Sequence, residues 1–266
     1  MNVFLRELRA YRASTITWVV TLCSLVVVFM SLYPAFTQDV ATTREVFEQF
    51  PDVVMVALNI SLASFFTIYG FFGYLLGFAT LAGAIQAMNL GTGVISTETT
   101  GKTADFLLTK PVTRWAVVSA KLGAALVLLV VTNVVFSGVA YGVATVMADE
   151  PFEASTFLLM ASTLFLVQLF FLALGALFSV TIPRIKSVVA VSLPTVFTFY
   201  IVGMLGDVLA NDEVRFITPF KFFETSDIIA DGALDGVSLA ILGGFCVAAI
   251  GLSYLIYARK DIRSSV

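Results

Sequence analysis

Histidine is absent from all 266 residues, and only two cysteines, Cys23 and Cys246, occur. The first absence excludes zinc–histidine hydrolysis and Ser–His nucleophile pairs, both of which need an imidazole. The two cysteines sit inside apolar runs, where they make neither a disulfide framework nor a metal site and read as small buried residues. Charge is scarce too. Asp, Glu, Lys and Arg make up 12% of the chain, which is about half the share in an average soluble domain. No Asp or Glu falls well inside a long apolar run. Ion-coupled carriers place ionisable groups at membrane depth, so that class is disfavoured. Nothing sets a serine beside a buried lysine either, and no enzymatic activity is expected.

What the chain does have is apolar surface: 59% of its residues are hydrophobic, 25 are Phe, and the mean hydropathy is +0.98. Runs of about 18 or more apolar residues recur, each long enough to cross the hydrocarbon core as a helix. They are continuous, not alternating, which excludes barrel strands. The expectation is an all-α polytopic membrane protein, one transmembrane domain over residues 1–266 with six spans. These are placed at Ile16–Phe36, Phe65–Met88, Ala116–Met147, Thr156–Thr181, Ser187–Leu209 and Val237–Tyr257. The first run follows Arg6, Arg9 and Arg12, as a secretory signal would. It is too long for one, however, and Tyr33-Pro34-Ala35-Phe36-Thr37 offers no cleavage pattern. It is read as a retained span.

Charge distribution sets the orientation. Twelve of the 15 Lys and Arg lie in the amino terminus, the segment after the second span together with Lys121, the loop around residues 182–187 and the carboxyl tail. Fourteen of the 18 Asp and Glu lie in the opposite loops. Positive residues mark the cytoplasmic side, so both termini are expected inside, in a multi-pass protein of the cell membrane. Within residues 1–15, Phe4, Leu8 and Tyr11 fall on one helical face and the arginines fall elsewhere, as in a short amphipathic helix lying in the interface. Trp18 and Trp115 stand where interfacial anchors belong. Lys121 is close enough to the edge of the third span to snorkel outward.

Few polar groups interrupt the spans. Gln86, Asn133 and Gln168 either line a path for a transported molecule or tie helices together, at roughly 1 kcal/mol each; sequence leaves both readings open. Gly73-x-x-x-Gly77 and Gly138-x-x-x-Gly142 are patterns that permit close helix approach, and Pro194 removes one backbone bond from the fifth span. The acidic loop over residues 210–236, with Phe216, Phe220, Phe222 and Phe223 interleaved, either closes the outer end of the bundle or gates it.

The segment 96–114 is the longest polar insert on the basic side. It contains Gly101-Lys102-Thr103, but a phosphate-binding loop requires a glycine where Ser96 stands, and no α/β domain carries it. ATP binding through this segment is excluded. Ala104, Leu107, Leu108 and Pro111 recur at helical spacing and form one apolar stripe, which Pro111 terminates. Such a helix lies on the lipid surface or fills a groove on a soluble partner.

The residues Glu98-x-x-Gly101-x-Thr103-x-x-x-Leu107-Leu108-x-x-Pro111-Val112-x-Arg114, with Lys121 following, resemble the segment after the second span in ABC transporter permeases of the type-2 exporter class. Lys102 between Gly101 and Thr103, and Thr113 where Ser is commoner, depart mildly from that pattern. Thr218-Pro219-Phe220-Lys221-Phe222-Phe223 resembles a Pro-Phe-x-Tyr-Phe stretch in the same family. The resemblance implies a permease subunit that pairs with a second copy or a homologue to enclose the substrate path. It implies a separate cytoplasmic ATPase, which would hold ATP and Mg, so this chain itself carries no cofactor and binds no nucleic acid. It implies that 96–114 is a coupling helix. Leu107 and Leu108 would enter an apolar pocket of the ATPase, Glu98 and Arg114 would make rim contacts, and Gly101, Thr103 and Pro111 would shape the segment. The alternative is a membrane scaffold or sensor whose insert recruits a partner that is not an ATPase.

Overall fold

The computed structural model describes residues 3–57, 60, 62, 64–100, 113–148, 150–209 and 212–259. Among these the protein is all helical, with six helices apolar and long enough to cross a membrane. In chain order the helices are α1 (Val3–Ser31), α2 (Tyr33–Thr37), α3 (Val40–Glu48), α4 (Asp52–Ala57), α5 (Ile68–Thr100), α6 (Arg114–Met147), α7 (Ala154–Thr181), α8 (Val188–Val208), α9 (Thr225–Asp231) and α10 (Gly236–Arg259). Two 3-10 turns, Asp212–Phe216 and Pro219–Lys221, lie between α8 and α9. The spans are α1, α5, α6, α7, α8 and α10.

Helices α5 and α7 form the centre. In their most apolar stretches 61% and 67% of residues are buried, against 22%, 17% and 17% in α1, α8 and α10, whose remaining apolar surface suits lipid or another membrane chain. The two central helices meet backbone to backbone. A Cβ on Gly91 would stand 2.4 Å from the Leu172 carbonyl oxygen, and one on Gly175 would stand 2.8 Å from the Met88 carbonyl oxygen. Any side chain at either position separates the helices. Close approach of this kind replaces the hydrophobic force that lipid cannot supply between spans.

This contact explains why α5 outruns the span expected to end at Met88. Asn89, Gly91, Thr92 and Gly93 look like a polar exit in sequence, but the helix continues to Thr100, and Thr92 is fully buried. The glycine pairs singled out from sequence behave differently. Gly138, Gly142 and Gly77 have no heavy atom within 4 Å of a built Cβ, and Gly73 meets only Thr225. Spacing revealed the small residues but not which face of the helix the neighbour takes.

At the amino terminus, α1 is a single helix of 29 residues. The amphipathic stretch runs into the span without a turn, since no Pro or Gly lies between Val3 and Ser31. Helix α8 likewise continues through Pro194. The contacts of α1 put its start beside the start of α6, and Trp115 of α6 stacks on Tyr254 near the end of α10, with centroids 5.1 Å apart. The amino-terminal helix, the roots of the 101–112 segment and the end of α10 therefore share one end of the bundle, the basic end.

The opposite, acidic end is closed by protein. Phe222 is 1% exposed and meets Phe170 edge-on, Phe220 packs on Phe171, and only Phe216 stays half exposed. Arg215 bonds Asp227 at 3.0 Å and lies 3.9 Å from Asp235, joining the first 3-10 turn to α9 and to the start of α10. Asp235 caps α10 by accepting from the Ser238 hydroxyl and backbone N–H, and those bonds, with Arg215 nearby, hold its carboxyl below the usual range. Phe220 and Phe222 of this loop thus pack into the bundle end, while Phe216 stays half exposed.

Gly91→Leu or Gly175→Leu should lower stability by about 1–3 kcal/mol, the range for overpacking a tight contact, whereas Gly138→Ala should be near neutral. Thermal unfolding in detergent measures both. Equal effects at Gly91 and Gly138 would remove the α5–α7 contact from its central place.

Candidate functional site

Two apolar clusters fill the core, one toward each end of the bundle, and a layer of polar side chains lies near their boundary. Gln86 on α5 donates to the Thr132 hydroxyl on α6 at 3.0 Å, and Gln168 on α7 donates to Gln86 Oε1 at 3.1 Å. Asn133 on α6 donates to Gln168 Oε1 at 2.5 Å and to the Leu129 carbonyl at 2.8 Å. All four side chains are at least nine-tenths buried. The three amides found in the sequence are therefore neighbours, bonded to one another near mid-span. Thr132 escaped sequence reading because one threonine among many scattered hydroxyls carries no signal. At these buried positions, each bond between side chains of different helices ties one helix to the next. Asn133 Oδ1 is buried without a hydrogen-bond partner, so the layer retains one acceptor.

A second polar cluster sits at the basic end. Lys121 is 2% exposed; its Nζ donates to the Val94 carbonyl at 2.6 Å and lies 3.3 Å from Glu7 Oε1. The expectation that Lys121 snorkels is corrected here. The Glu7 carboxylate, carried on α1, and a carbonyl of α5 hold the ammonium inside, so it need not reach the interface. Glu7 was missed from sequence, although a lone acid among Arg6, Arg9 and Arg12 was the available signal. Its packing is local: Tyr11, one turn on, brings its hydroxyl against Gly93 of α5, 2.9 Å from where a Cβ would stand. Lys121 lies seven residues past the start of α6, and Val94 six before the end of α5. The lysine therefore joins the two helices from which the 101–112 segment springs.

Of the residues expected to dock an ATPase, Gly101, Thr103, Leu107, Leu108 and Pro111 lie outside the described residues. Glu98 falls in the last turns of α5 and Arg114 opens α6. Thr113 caps α6 by accepting from the Ala116 N–H. No group of three or more metal-ligating side chains occurs among the described residues.

Comparison with known families adds the decisive observation. The model describing an ABC-2 family transporter protein matches residues 1–262. The chain belongs to that family. Curated proteins give no significant match. As an ABC-2 family member with six apolar spans, the chain is a multi-pass membrane permease subunit of an ABC transporter. The polar layer and the Lys121 cluster thus belong to a transport subunit, in which the first holds three spans together and the second fixes the base of the insert.

Removing one partner of a buried ion pair leaves the other unpaired, at about 3–5 kcal/mol. Glu7→Leu and Lys121→Met should each destabilise on that scale, and the Glu7→Leu/Lys121→Met pair should recover most of the loss. A double-mutant cycle of unfolding in detergent reads this. Additive losses would show that the two side chains act independently.

Proposed function

We propose that this chain is the membrane subunit of an ATP-driven exporter in the cell membrane, working as a dimer with a separate cytoplasmic ATPase. Family membership over residues 1–262 carries this reading. The charge partition supports it, since it puts the basic end and the insert on the cytoplasmic side. The sequence lacks the glycine that a phosphate-binding loop needs at Ser96, so ATP and Mg belong to the partner. The segment 96–114 is the docking element: Leu107 and Leu108 enter the ATPase cleft and Glu98 and Arg114 flank it. Closure of two ATPases moves the paired docking elements and opens the path between permeases as a rigid-body change. Lys121, Glu7 and the Val94 carbonyl support the reading because they stiffen the base of that element.

The tagged chain, purified gently from its native membrane, should bring a P-loop ATPase with it. Leu107→Asp/Leu108→Asp should abolish that association and leave the six-span chain folded. Undiminished association in the double variant rejects the docking assignment, and capture of a partner without ATPase activity favours the scaffold reading.

A further inference from the structure

Two adjoining cavities open at the acidic end beside α5 and the Pro219–Lys221 turn: one of about 80 Å³ bounded by α8 and one of about 60 Å³ bounded by α7. Both reach Gly77, Thr80, Phe220 and Lys221. The larger is walled by four aromatic rings in two edge-on pairs: Tyr74 with Phe78, at 5.2 Å between centroids, and Tyr200 with Phe220, at 5.5 Å. At its rim Lys221 Nζ is 2.6 Å from Asp207 Oδ2 and 4.0 Å from Glu224 Oε1. The room exists because α5 presents Gly77 there, with no heavy atom within 4 Å of a built Cβ, and α8 presents Gly203.

Two features give this cavity a chemical preference. Asp207 occupies the last turn of α8, where the helix dipole disfavours a negative charge, so helix stability does not account for it. Two carboxylates surround one ammonium, leaving an excess negative charge beside four ring systems whose faces attract cations.

We propose that the cavity binds an organic ammonium head, for which a trimethylammonium group is the probe, and that Lys221 is a tethered competitor for the same carboxylate. The proposal rests on the transport reading and assigns its substrate class. An arriving ammonium takes Asp207 and stacks among Tyr74, Phe78, Tyr200 and Phe220, while Lys221 swings toward Glu224. When Lys221 returns to Asp207 it expels the head. A phosphate-bearing headgroup is disfavoured by the same two carboxylates, which separates the ligand from the ordinary choline lipids of a bilayer.

The test uses the full chain in nanodiscs, with retention of tritiated dodecyltrimethylammonium below its micellar concentration as the readout and dodecyl sulfate as competitor. Wild type should bind saturably, without competition from dodecyl sulfate. Asp207→Asn should weaken binding by on the order of tenfold or more, the scale of a lost charge-assisted contact. Lys221→Gln should tighten binding several-fold. A Cβ at Gly77, which lines the cavity, meets no heavy atom within 4 Å, so Gly77→Leu should abolish binding with its unfolding temperature retained, which guards against variants that merely misfold. Affinity should be the same in phosphatidylcholine and phosphatidylglycerol nanodiscs once the Gly77→Leu background is subtracted. Unchanged binding in Asp207→Asn or Gly77→Leu, no tightening in Lys221→Gln, competition by dodecyl sulfate, or loss of binding in phosphatidylcholine each overturns the proposal. Because the assay needs no ATPase, its failure leaves the docking result standing, and failure of docking leaves the binding result readable.

Discussion

The backbone contact between α5 and α7 at Gly91 and Gly175 is the constraint on which the remaining arrangement rests. Lipid tails are as apolar as leucine, so spans are not driven together by hydrophobicity and must rely on close packing and internal hydrogen bonds. Two glycines remove the side chains that would hold the helices apart. Once α5 and α7 touch there, Gln86 and Gln168 come within hydrogen-bond distance, and Asn133 and Thr132 of α6 complete the layer. The same contact carries α5 past its apolar run, and so brings the Val94 carbonyl to Lys121.

The number of spans and the all-helical class were legible from sequence because a continuous apolar run has only one way to satisfy its backbone in hydrocarbon. The partners of buried polar groups were less legible. Gln86, Asn133 and Gln168 announced themselves as rare amides, but their mutual bonding depends on how three helices rotate, which a near-uniform apolar face does not encode. Lys121 shows the limit most sharply. Its distance from the span edge allowed snorkelling, and only the fold of α1 alongside α6 supplies the carboxylate that keeps it buried. The docking residues within 101–112 stay a reading of sequence pattern, because they lie outside the described residues.

Helix α5 also gives the molecule a mechanical axis. Its carboxyl end roots the proposed docking element. Its amino-terminal half contributes Tyr74, Gly77 and Phe78 to the cavity at the acidic end. Between them it is held to α7 along the Gly91–Gly175 contact and through the Gln86–Gln168 hydrogen bond of the amide layer. Helix α8 is held less firmly. Only 17% of its most apolar stretch is buried, and it meets the cavity through Tyr200, Gly203 and Asp207. In the exporter proposed above, a push at the base of α5 would shift Gly77 on α5 relative to Asp207 on α8, the carboxylate that Lys221 holds. Energy delivered at one end of that exporter would reach the other through the α5–α7 pair of helices shifting against its less buried neighbour. The polar layer at mid-span, costly to open because its donors and acceptors are buried, opposes shear within that pair, and the less buried wall of the cavity is where such a shift would be taken up.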